Sequence, residues 1–138
     1  MAHTAAGRLA GYTEDAHWYE AAYAYGVTNG INAVADSLRL PLDFSDGPQR
    51  RPLVKLVEME EASDGLGKIY LDIMSFYQTE RVPAIFKALA HDEGYLKDYW
   101  GAVRFVFQDG QLDRLTKEVL ALAASMAAKS DYGVDLHL

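Results

Sequence analysis

Glu118 and His137 are the two residues of this chain whose types invite chemistry as a pair. A carboxylate and an imidazole held together in a partly desolvated place are driven toward opposite protonation states, which is how proton exchange near neutral pH is arranged. His137 closes the stretch SDYGVDLH, residues 130–137. Its spacing is that of a two-thiol redox site followed by a histidine, with Ser130 and Gly133 where the sulfurs would stand. The chain contains no cysteine, so neither a thiolate nucleophile nor a resolving thiol is present and thiol redox chemistry is excluded. A serine hydroxyl is a poor substitute without an adjacent base, and Ser130 better fits the cap of a helix. Tyr132 reads as core or pocket wall, its phenol a potential donor to a bound acid; Ser125 is a candidate pocket residue, and Asp135 is expected to be solvated.

The elements must fold back for the pair to meet. Nineteen residues of straight helix would hold Glu118 and His137 about 28 Å apart. A reversal near Ala128–Lys129 makes them neighbours on opposing arms, and Ser130, Asp131 and Gly133 suit such a break. The arm that carries Glu118, LDRLTKEVLALAASMAAK, has Asp113 as a candidate cap and an apolar stripe of Leu115, Val119, Leu122, Ala123 and Met126. Glu118 lies about 80° from the centre of that stripe, on its edge. Beyond Leu120 nearly every position is apolar, so this half-helix is expected to be buried all round. Glu118 is open to two roles, a solvated helix margin or half of an acid/base pair. His137 is open to a frayed chain end as well.

The remaining segments read as helices too. A first helix is expected to open at Thr13 and to run to Pro41, kinked or divided at Gly26 and Gly30. PLDFSDGPQRRP, residues 41–52, holds three of the four prolines and starts an irregular connection, 41–55. The core follows over 56–138. In it EMEEASDGLGKIYLDIMSFYQ has helical periodicity, Pro83 opens a short helix, and DEGYLKDYWGAVRFVFQ forms a longer one. No segment alternates with period two for long. One all-α domain of about six helices, spanning residues 1–138, is expected.

At these residues the chain resembles the AhpD-like superfamily, which includes alkylhydroperoxidase AhpD proteins and carboxymuconolactone decarboxylases. LDRLTKEVLALAASMAAKSDYGVDLH is similar to that family's glutamate helix followed by Cys-x-x-Cys-x-x-x-His. RVPAIFKALAHDEGYLKDYW is similar to its Val-Pro and Tyr-Leu-x-x-x-Trp region, which the 2-haloacid dehalogenase branch shares. The resemblance implies that Glu118 and His137 are the family's glutamate and histidine and that Ser130 and Gly133 are vestigial redox positions. At the dehalogenase aspartate the chain has Ile85. Family members end with a phrase like NAVADSLRLPLD, which here occupies residues 32–43, so a circularly permuted order is implied. The resemblance also implies a homo-oligomer, a dimer, trimer or hexamer.

Composition bounds the rest. A net charge of −7 and a pI near 4.9 repel phosphate backbones, and the one adjacent basic pair, Arg50–Arg51, sits in the Pro-rich connection, so no nucleic-acid partner is expected. No apolar leader or membrane-length run occurs; a cytoplasmic protein without membrane contact is expected. His17 and His91 read as surface residues, no pattern calls for a metal, and no cofactor is implied. The aromatic residues of the first helix, Trp18, Tyr19, Tyr23 and Tyr25, suit a core or subunit interface, and Tyr hydroxyls around an apolar cavity suit a small organic acid or phenol. Two readings survive: a small-ligand-binding or assembly protein with a degenerate site, or a cysteine-independent acid/base enzyme using Glu118 and His137 on a small carboxylic acid or lactone.

Overall fold

A computed structural model of the chain describes residues 2–48 and 50–138, the first three by their backbone alone; Met1, and Gln49 within the connection, lie outside the described residues. The described residues form seven α-helices and one 3₁₀ turn, with no strand among them. The helices are α1 (Ala2–Leu9), α2 (Asp15–Ser37), α3 (Asp64–Tyr77), α4 (Ala84–Leu89), α5 (Glu93–Phe107), α6 (Arg114–Ala128) and α7 (Asp131–His137), and the 3₁₀ turn is Met59–Glu61. The all-α class follows from the sequence; α1 was not expected from it.

Local chemistry sets the boundaries. Ser63, Asp92, Asp113 and Ser130 each accept the backbone N–H three residues on, from Leu66, Tyr95, Thr116 and Gly133, and each such cap stabilises its helix by about 1 kcal/mol. Thr13 does not cap α2. Glu14 takes that position, and its N–H donates to His17 Nδ1 at 3.3 Å, closing the first turn. Nor is α2 divided at Gly26 and Gly30. Both glycines face outward with nothing close by, and packing against α5, α6 and α7 outweighs the roughly 1 kcal/mol of helix propensity each one costs.

Three helices end on a non-glycine residue in the left-handed region: Arg39 (φ 56°) after α2, Gln78 (φ 52°) after α3 and Lys129 (φ 56°) after α6. Each sits in a closed C-terminal motif. Leu40, Thr79 and Ser130 donate their N–H groups to Ala35, Met74 and Ser125 five residues back, so the terminal carbonyls are satisfied although the backbone costs about 1 kcal/mol at each site relative to glycine. The connection after Arg39 is pinned to the helix end by the Leu53 N–H, which donates to the Leu38 carbonyl at 2.9 Å. Between α3, α4 and α5 lies the apolar core, with Tyr70, Ile73, Phe86, Leu96 and Trp100 buried together. Ile85 is also wholly buried there.

The packing of α6 reverses the expectation from periodicity. Its inner face, against α2 and α7, carries Lys117, Ala121, Ala124 and Ser125. The apolar stripe points outward, with Leu115 75%, Val119 57% and Met126 63% exposed, and Ala123 is exposed as well. The half-helix beyond Leu120 is therefore not buried all round. The reason is size: small inner residues let α2 and α7 approach closely, which larger side chains would prevent.

A charge pair with a buried lysine and a partly exposed glutamate braces this seam. Lys117 Nζ lies 2.9 Å from Glu20 Oε2 and donates to the Gln108 carbonyl at 2.8 Å, while the two Glu20 oxygens accept the Gln111 and Leu112 N–H groups. Burial alone would raise the Glu20 acid, but the Leu112 and Gln111 amides and Lys117 together hold it down at about 2. A carboxyl lowered by folding stabilises the protein fully above its ordinary value of 4.5 and loses that contribution as pH falls toward about 2. Chemical unfolding followed as a function of pH should therefore show a shallower loss of stability across that window in Glu20→Gln than in the wild type; equal slopes would remove Glu20 from the acid response.

Candidate functional site

The left-handed Lys129 turns the chain back on itself, and Ser130 starts α7 by accepting the Gly133 N–H at 3.2 Å. This reversal places His137, one residue from the chain end, against α6. Its Nδ1 lies 2.7 Å from Glu118 Oε2. The imidazole is buried and the Glu118 carboxyl is partly exposed. Phe107 stacks on the imidazole with centroids 5.5 Å apart and planes 25° from parallel, so His137 is neither frayed nor solvated. Arg114 holds the other Glu118 oxygen at 3.5 Å while its guanidinium lies 3.9 Å over the Phe76 ring.

The chemistry of this pair follows from its donors. A carboxylate oxygen accepts, so Nδ1 donates in this bond and Nε2 is the ring atom left for another partner. Nε2 is buried and has no hydrogen-bond partner among the described residues. A surface hollow of about 390 Å³ is lined by Tyr77 and by Leu136 and Leu138, the neighbours of His137 in sequence. Burial and the Glu118 charge both push the Tyr77 phenol upward, so it stays protonated as a potential donor.

Ser130 and Gly133 are both occupied by structural roles. The Ser130 hydroxyl is committed to its cap and wholly buried. At Gly133 there is no room for a side chain at all: a Cβ would collide with Asn32 Oδ1 from α2 and with Ser125 Oγ from α6. Those two atoms bond each other, Ser125 Oγ donating to Asn32 Oδ1 at 3.2 Å. Ser125 is thus a packing residue between helices and not a pocket residue.

Tyr132 takes the core place open to it, and Asp135 departs from expectation. Tyr132 is wholly buried; its hydroxyl donates to Asp43 at 2.7 Å and accepts the Ile85 N–H at 3.0 Å. Asp135 is buried rather than solvated, and accepts the Asp43 and Phe44 N–H groups at 2.6 and 2.9 Å together with the Ser45 hydroxyl. Asp43 completes the knot by accepting the Ala84 N–H at 3.0 Å at the start of α4. Burial raises the Asp43 acid, opposed by its bonds from Tyr132 and Ala84. The connection is irregular in conformation but firmly bound, because α7 supplies acceptors for backbone groups that would otherwise be unsatisfied.

Sequence reasoning missed Asp43, Phe107 and Arg114. Asn32, a polar residue on a helix of small side chains, calls for a hydrogen-bond partner once buried, and Ser125 supplies it. His17 is half-buried and His91 exposed, and the described residues hold no group of three or more His, Cys, Asp or Glu placed to share a metal ion.

Gly133→Ala should lower stability by about 1–3 kcal/mol through overpacking, read by urea unfolding. The same change in an Asn32→Ala background should cost markedly less, because the colliding amide is gone. Equal costs in both backgrounds would show that the close approach of α2 is not what excludes the side chain.

Comparison with protein-family models, with curated proteins and with solved structures returned no match to this chain.

Proposed function

We propose that this chain is an assembly and small-ligand-binding protein of AhpD-like ancestry that has given up thiol chemistry. The observation that carries the reading is the outward apolar stripe of α6, Leu115, Val119 and Met126, which extends over about 17 Å of helix. Covering such side chains contributes about 1.5–3 kcal/mol for each one fully buried, and a second copy of the chain supplies that cover in a homo-oligomer. The filled space at Gly133 supports the loss of the redox site. A hollow of about 470 Å³ walled by Tyr19, Tyr23 and Phe105, with Lys117 and Glu20 at its lining, suits a small organic acid or phenol.

Analytical ultracentrifugation tests the assembly. The wild type is expected to sediment as a multiple of 15.3 kDa, and Val119→Lys with Met126→Lys to sediment as a monomer with unchanged helical circular dichroism. A monomeric wild type at micromolar concentration overturns the reading.

A second reading, proton transfer on a small carboxylic acid or lactone, is favoured by the unpartnered Nε2 of His137 beside the Glu118 bond. It ranks second because Nε2 is sealed from solvent. Nitrogen-15 NMR of the imidazole should report the Nδ1–H tautomer in the wild type and its loss in Glu118→Ala. The Nε2–H tautomer in both proteins would leave Glu118 with no hold on the ring.

A further inference from the structure

Three of the seven arginines, Arg39, Arg50 and Arg51, line one hollow of about 470 Å³ between the end of α2 and the connection that follows it, with Asp36 as the fourth lining residue. The clustering runs against the charge of the chain, which carries 20 acidic and 13 basic residues. Arg50 is positioned by two carboxylates: Asp131 at 2.7 Å and, beyond hydrogen-bond reach, Asp36 at 3.6 Å. Arg39 and Arg51 form no ion pair among the described residues, so three guanidinium groups share the hollow with the single Asp36 carboxylate.

The backbone is committed to this arrangement. Arg39 occupies the left-handed position that ends α2, where glycine carries no steric penalty and arginine does. The Leu53 N–H bond to Leu38 fixes the connection against the same helix end, so Arg50 and Arg51 are carried on chain docked a few residues away. Among the described residues only charged ones line the hollow, and a ligand there is held by charge and hydrogen bonds.

We infer that the Arg39–Arg50–Arg51 hollow binds the phosphate group of a small phosphorylated ligand. Guanidinium groups present planar forks of N–H donors that match phosphate oxygens in pairs. A terminal phosphate has three oxygens to divide among three such forks, whereas a carboxylate has two. The site is separate from the Glu118–His137 pair and does not depend on the role assigned to it.

The test is a titration of the full chain with inorganic phosphate and then pyrophosphate, at ionic strength held constant with sodium chloride, followed by the arginine Nε–H resonances. Saturable shifts at Arg39, Arg50 and Arg51 are expected, with pyrophosphate the tighter ligand. Arg39→Gln with Arg51→Gln should weaken binding by about tenfold or more, the scale of one lost hydrogen bond to a charged group, without changing the circular dichroism. Shifts that grow linearly without saturation, or an affinity unchanged in the double variant, overturn the proposal. Flotation with vesicles containing phosphatidic acid separates the sources of phosphate: flotation lost in the double variant assigns a lipid headgroup, and no flotation with saturable phosphate binding assigns a soluble ligand.

Discussion

The structure depends on the close approach of α2, α6 and α7 at Gly133. There the α7 backbone lies so near Asn32 and Ser125 that no side chain fits, and three helices are locked at one point. The same three helices are packed on one another along this seam, and α7 returns along α6 to bring His137 to Glu118. Dense packing transmits such a constraint because neighbouring elements cannot yield independently.

The same constraint accounts for the mixed character of the site. Ser130 caps a helix, and Gly133 is a contact point between helices. Glu118 and His137 share a direct hydrogen bond, with Arg114 and Phe107 holding them from either side. Nearby, Asp43, Tyr132 and Asp135 tie an irregular, partly exposed connection to α7.

Polar groups occupy unusual places throughout. Lys117 is buried on an inner helix face while Leu115, Val119 and Met126 are displayed outside. Burying the Lys117 ion requires fixed partners, which Glu20 and the Gln108 carbonyl supply, whereas the exposed apolar side chains forfeit their transfer free energy.

What the sequence determined by itself was whatever rests on local chemistry: helical periodicity, caps at Asp113 and Ser130, proline punctuation in the connection, and a reversal near Lys129 that brings Glu118 to His137. These depend on residues within one or two turns of each other. Tertiary structure decided the rest. The α6 stripe has a clear period, but a period marks a face without saying whether the core or a partner covers it. Asp135 reads as solvated until Asp43, 92 residues away, presents its N–H to it. Gly133 reads as a helix-weakening residue until Asn32, from the other end of the chain, arrives beside it. Contacts between distant segments have no local signature, because each partner's composition is ordinary on its own and only their meeting makes the position special.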